Sequence, residues 1–241
     1  MLSDLSITFV SGLTGVGKSS TLATLKSANL NLLPNRRRLT DDIIIPQMQR
    51  EMGQPVRHVP DRLERFELTR RYRETHGGMV TALLAYLQET NPDPGAAYVF
   101  DNLRGLTECT AGTKTFDSSR FIFLDAPPLT RLKRMLGRAD RFDTINATRL
   151  ENSSFSEQLL AIENLSEVFD AYELARLEAN ADIADHTILD AVRIIVKEHE
   201  NYNAEAAASY LKTVLPPKRL LYLDTGQMPI DAVAAALKDW L

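Results

Sequence analysis

The chain has 241 residues, 44% of them hydrophobic, with four histidines, one cysteine and a formal net charge of −4. That length suits one large α/β domain, or one core plus an insertion, and it can bury a sizeable core. The charge gives no global reason to expect nucleic acid or an anionic membrane as partner. Cys109, being alone, excludes an intramolecular disulfide and any multi-cysteine zinc site, and no apolar run approaches the length of a membrane span.

The N-terminal Met1-Leu2-Ser3-Asp4-Leu5 does not read as a signal peptide, because a conspicuous motif begins too soon after it. A soluble cytoplasmic protein is therefore the expectation. Ile7-Thr8-Phe9-Val10-Ser11 reads as a short buried strand and Ser20 to Lys26 as a helix. Between them Gly12-Leu13-Thr14-Gly15-Val16-Gly17-Lys18-Ser19 fits the phosphate-loop pattern G-x-x-x-x-G-K-[ST]. Glycines let such a backbone curl until its N–H groups point inward at a phosphate, and the following helix adds its positive end. The pattern predicts nucleotide contacts from Gly12, Thr14, Gly15, Val16, Gly17, Lys18, Ser19 and Ser20. Lys18 is expected to reach the β- and γ-phosphates of ATP, and Ser19 to offer its hydroxyl to Mg²⁺.

Residues 34 to 90 follow the first helix and are expected to supply the acceptor side. Arg36-Arg37-Arg38-Leu39-Thr40-Asp41-Asp42 puts three cations before two acids. Asp41 or Asp42 is suited to a sugar hydroxyl or to base catalysis, although helix capping is the commoner use of such residues. From Asp61 to Thr75, Arg62, Arg65, Arg70, Arg71 and Arg73 interleave with Glu64, Glu67 and Glu74. Most of these are expected to be solvated local pairs. Arg70 and Arg71 are the candidates for an acceptor phosphate, with Arg36 and Asp41 beside them.

Three more apolar runs end in aspartate: Ala97-Tyr98-Val99-Phe100 before Asp101, Phe121-Ile122-Phe123-Leu124 before Asp125, and Leu220-Leu221-Tyr222-Leu223 before Asp224. Such runs suggest parallel strands buried on both faces, and ligands of open α/β sheets collect at strand carboxyl ends. Leu30 to Leu33 is the weakest strand assignment. Asp101 is the first choice for metal or proton work, because Asn102 and Arg104 continue it with polar groups. Arg104 is the matching anchor for an anionic acceptor, and Asp125 stays open as an alternative metal ligand. From Arg131 to Arg141 there are five basic side chains in eleven positions. Guanidinium groups stabilise charge on a transferring phosphoryl group, so a basic lid over residues 129 to 145 is expected, with Arg134, Arg138 and Arg141 favoured. Segments around Ser156 to Ala179, Ile183 to Tyr202 and Ala204 to Leu211 show helical spacing, making an extra helical region over 150 to 212. Pro229 opens a last helix from Ile230 to Leu241.

Taken in order, Phe121 to Arg134 with Arg138 and Arg141 resembles the strand, D-x-P-P turn and arginine-bearing lid of thymidylate kinases and deoxynucleoside kinases. Leu223 to Val233 is similar to the final strand and adenine-side loop of that P-loop superfamily, which includes the nucleoside monophosphate kinases. Asp101-Asn102-Leu103-Arg104 stands where those families carry an acid followed by arginine, here with Asn102 directly after the acid. Arg36 to Asp42 is loosely similar to the phosphate-binding region of guanylate kinases. The resemblance implies an α/β fold over residues 1–241: a five-stranded parallel P-loop NTPase core flanked by helices, with an arginine-rich lid. It also implies a Mg²⁺-dependent kinase that moves the γ-phosphoryl group of ATP to a nucleoside or nucleoside monophosphate.

Two other functions remain in view. A nucleotide-dependent switch or regulatory ATPase would use the helical region to meet a partner. A polynucleotide-end kinase would need a basic and aromatic groove, and residues 57 to 73 offer only Phe66 and Tyr72, so nucleic acid is not the favoured partner. A small phosphate acceptor is the expected partner, no membrane is expected, and a homodimer stays open. His199 has no second histidine one helical turn away and His186 is distant, so zinc-protease chemistry is not indicated. Cys109 is expected to be inert.

Overall fold

The computed structural model describes residues 2–28, 30–137, 153–178 and 184–241. Five strands form one sheet: β1 (Ser6–Ser11), β2 (Asn31–Leu32), β3 (Ala97–Leu103), β4 (Arg120–Asp125) and β5 (Leu220–Asp224). Their order is β2-β3-β1-β4-β5, and every neighbouring pair is parallel. All strand carboxyl ends therefore lie along one edge, where ligands of such sheets gather.

Among the described residues there are twelve α-helices. They are α1 (Lys18–Ser27), α2 (Arg36–Leu39), α3 (Ile45–Glu51), α4 (Arg62–His76), α5 (Met79–Thr90), α6 (Gly105–Thr115), α7 (Pro128–Leu136), α8 (Phe155–Leu160), α9 (Ala171–Glu178), α10 (Asp185–Asn201), α11 (Ala204–Val214) and α12 (Ile230–Trp240). The central strands β1, β3 and β4 are largely buried on both faces, as parallel sheets require, whereas the edge strand β2 is exposed. Phe9, Phe100, Phe121 and Phe123 form one face with α5, α6 and α11. Val10, Val99, Ile122, Leu124 and Leu223 form the other, under Leu25 of α1 and Val233 and Leu237 of α12. Gly112 lets α6 come close, since a Cβ there would meet Leu103 and Phe121 at 3.0 and 3.2 Å. A third cluster joins Leu132 and Met135 of α7 to Leu159 of α8 and Ile188, Val192 and Ile195 of α10.

Two details depart from the sequence expectation. Strand β3 does not stop at Asp101. It continues to Leu103 because β1 pairs with it through Ser11, across an irregularity between Val10 and Ser11. The helical segment expected over Ser156 to Ala179 is broken into α8, a short 3₁₀ turn at Leu165–Glu167 and α9. Asn164, with φ of 60°, turns the chain between the first two, a conformation asparagine tolerates better than most residues. Among the described residues, no helix is long and apolar enough to cross a membrane.

Candidate functional site

The motif residues Gly12 to Gly17 join β1 to α1, and Lys18 and Ser19 open the helix. Gly12, Gly15 and Gly17 all have positive φ, at 136°, 87° and 96°. At Gly15 a side chain is excluded twice over: the backbone is left-handed, and a Cβ would lie 2.7 Å from the Arg131 carbonyl oxygen. Val16 is buried in the aliphatic core and anchors the curl from behind. Lys18 Nζ donates to Gly12 O at 3.0 Å and Leu13 O at 2.5 Å. Burial, then the neighbouring Arg104, brings its pKa down to about 7 against the pull of Asp101 and Glu198. Ser19 and Ser20 are exposed at the start of α1.

The three strand-terminal aspartates are not equivalent. Asp125 spends one oxygen on Ala126 N–H at 2.9 Å and the other on the Tyr222 hydroxyl at 3.0 Å. Asp224 accepts from Gly226 N–H at 2.9 Å. Asp101 keeps a buried Oδ1 that has no hydrogen-bond partner among the described residues. Burial raises its pKa, opposed by Lys18, Arg104 and Arg36. Asp101 thus keeps a buried carboxylate oxygen without a hydrogen bond beside a lysine and two arginines.

Next to it the chain assembles a buried charge cluster. Glu198, in the last turn of α10, is 0% exposed. Its Oε2 accepts from Thr14 N–H at 2.9 Å and Arg131 at 2.7 Å, and its Oε1 from the Thr14 hydroxyl and Arg104, each at 2.5 Å. Arg62 of α4 stands 3.9 Å away. Burial alone would raise the Glu198 pKa, but Arg104, Arg131 and Arg62 outweigh it and hold it at about 2. Arg131 Nε also donates to Thr14 O at 2.8 Å.

A second layer supports these groups. Arg36 forks onto Glu108 at 2.6 and 2.9 Å, and Glu108 accepts from Arg104 N–H at 2.7 Å. The Asn102 amide, oriented with Oδ1 toward Arg104, accepts from its Nε and donates to Gly12 O, both at 3.0 Å. Arg36, Arg73 and Arg104 lie 5.3 to 5.6 Å from the centre of the Tyr202 ring. Arg134 donates to Thr225 O at 2.6 Å, Thr225 Oγ1 at 2.9 Å and Gly15 O at 3.2 Å, tying the motif loop to the turn after β5.

Of the residues singled out in the sequence, Gly12 to Ser19, Asp101, Arg104 and Arg134 meet at this edge, with Arg36 behind them. Asp41 does not cap a helix; it sits in a π-helical turn and is held by Arg65 at 2.5 Å. Arg70 is gripped by Glu67 and Glu74 on the surface of α4, and Arg71 is exposed. Arg138 and Arg141 lie outside the described residues. Cys109 is buried 3.9 Å from Ser11 Oγ, and burial pushes its pKa up to about 12. Among the described residues, no group of three His, Cys, Asp or Glu is placed to hold a metal ion.

Sequence reasoning missed Glu198, and it counted Arg131 and Arg62 among basic segments without assigning either a role at the loop. Glu198 carried a usable signal: it continues the buried stripe Ile188, Val192, Ile195 of α10, and an acid on an apolar stripe needs a partner. Arg62 also differs from expectation. With Arg65 and Arg73 it faces inward, whereas only Arg70 makes the expected solvated pairs. A cleft of about 740 Å³ opens between α4, α8 and α10, lined by Leu63, Phe66, Arg70, Ile162, Val196 and Lys197 among others. Phe66 also packs on Leu13 of the motif loop and on Tyr202, so cleft and loop share a wall.

No protein-family model matches the sequence, and no curated protein matches it. Among solved structures, the chain is similar to an unliganded sugar kinase from Janibacter sp. HTCC2649, with 14% identity over 98% of this chain and 94% of that one and a TM-score of 0.42.

Proposed function

We propose that the protein is an ATP-dependent phosphotransferase that moves the γ-phosphoryl group to a small acceptor, of the nucleoside or nucleoside monophosphate class. The observation that carries this reading is the motif loop itself. Its three positive-φ glycines and the lysine folded across it stand at the carboxyl edge of an all-parallel sheet. The loop N–H groups and the start of α1 suit the β-phosphate, and Lys18 suits the transferring group.

Magnesium fits the residues present. The exposed Ser19 hydroxyl and the partnerless Asp101 Oδ1 are hard oxygen donors of the kind that ion prefers, with ATP oxygens and water completing its shell. Bound there, the ion would supply positive charge to the phosphate oxygens. Lys18 holds the γ-phosphoryl oxygens as the bond to the β-phosphate breaks and the acceptor oxygen bonds to phosphorus. Arg104 and Arg131, whose charges act on Lys18, are suited to the charge that develops. The 740 Å³ cleft behind Phe66 suits the acceptor, with Arg70 and Lys197 at its rim.

The test is ADP formation from ATP-Mg²⁺ with and without nucleosides, nucleoside monophosphates, phosphorylated sugars and short RNA. Strong stimulation by one class establishes the transferase and names the acceptor. One observation favours a second reading, a nucleotide-dependent switch: α10 of the helical region touches the loop directly through Glu198 and Thr14. Slow hydrolysis that no acceptor stimulates would select that reading.

A further inference from the structure

Loop N–H groups that point inward are the donors a phosphate needs, yet the N–H of Thr14 is committed to a carboxylate delivered from 184 residues away. That carboxylate is saturated, each oxygen accepting two hydrogen bonds, from one backbone N–H, one hydroxyl and two guanidinium groups. A backbone N–H, a hydroxyl and two guanidinium groups are also donors that hold a phosphoryl group. The carboxylate faces Arg104 and Arg131 directly and Arg62 at 3.9 Å.

We propose that Thr14, Arg104 and Arg131 form an anion subsite for a phosphoryl group at the mouth of the loop, and that Glu198 is its built-in occupant, competing with the polyphosphate of an incoming nucleotide. The proposal rests on the phosphate-loop reading above. Glu198 lies in the final turn of α10, which ends at Asn201, and its carbonyl accepts the capping N–H of Tyr202 at 2.9 Å. Helix ends open more easily than helix centres. The helical region from α8 to α10 thereby gains a defined task, to gate the loop.

Inorganic pyrophosphate is the probe, with calorimetric binding to the wild-type chain, Glu198→Gln and Lys18→Ala. Competition predicts that Glu198→Gln, which keeps the shape and removes the charge, binds pyrophosphate at least about tenfold more tightly than wild type. Equal or weaker binding by a folded Glu198→Gln overturns the proposal and makes Glu198 a positioning residue for the arginines. A second measurement needs no variant. Amide hydrogen exchange over residues 196 to 202 of the wild-type chain should speed up on adding pyrophosphate, and unchanged or slower exchange overturns the proposal as well. Wild-type and Lys18→Ala proteins that bind pyrophosphate alike would instead overturn the phosphate-loop reading, taking the proposal with it.

Discussion

Arg131 and Glu198 form a fully buried ion pair, Nη2 to Oε2 at 2.7 Å, with 5% and 0% of their side chains exposed. The pair bolts α7 to α10 directly over the motif loop. Breaking a buried pair from one side leaves an uncompensated charge and costs about 3–5 kcal/mol. Glu198→Leu, which strands Arg131 and Arg104 together, should lose that much in urea unfolding. Arg131→Met should lose less, because Arg104 still pairs with Glu198 at 2.5 Å.

The same carboxylate sets an acid limit. Its pKa falls from 4.5 to about 2 on folding, so folding favours the ionised form. The stabilisation is complete above pH 4.5 and is lost as the pH falls toward 2. The shift corresponds to roughly 3 kcal/mol. Unfolding free energies measured from pH 6 down to 3 should fall more steeply for wild type than for Glu198→Gln, and parallel curves would contradict the assignment.

Lys18 gives the opposite sign. With its pKa brought down to about 7 it is largely neutral at pH 8. A phosphate beside it favours the ammonium form and raises that pKa. Nucleotide binding at pH 8 should therefore take up protons, and affinity should weaken as the pH rises above 7. Calorimetry in two buffers of different ionisation enthalpy reads the uptake. Lys18→Ala should abolish both the uptake and turnover.

Asp101 separates stability from activity. Its buried, partnerless oxygen is a cost to the fold that only a ligand relieves. Asp101→Asn should raise the denaturation midpoint while lowering kcat by at least about a hundredfold. A loss of stability would mean that Asp101 is structural.

Gly15→Ala tests the loop geometry alone. At φ of 87°, with the Arg131 carbonyl 2.7 Å from the added Cβ, the variant should lose about 1–3 kcal/mol. It should also lose nucleotide binding out of proportion to that.

The strands, the motif loop and its flanking helix were legible in the sequence because they rest on local causes. Apolar runs of four or five residues make buried strands, and glycines at fixed spacing make one particular curl. Asp101 and Arg104 could be nominated from their place at a strand end. The sequence ranked Asp101 ahead of Asp125 but could not show that Asp125 accepts from Ala126 N–H and the Tyr222 hydroxyl while Asp101 keeps a buried oxygen without a hydrogen bond. The arginines of α7 show the same limit from the other side. Five cations within eleven positions announce a basic segment, but only helix phase against neighbouring elements turns Arg131 to Glu198 and Arg134 to Thr225.

By itself, then, the sequence determined the parallel α/β core, the loop and the lysine within it, since each follows from spacing along a few consecutive residues. Tertiary structure alone decided the company those residues keep. Glu198 meets Thr14 across 184 positions, and Arg36, Arg73 and Arg104 converge on Tyr202 from three separate segments. A charge on an amphipathic helix has no partner until the helix is packed, so the balance of charge at the loop is a property of the fold.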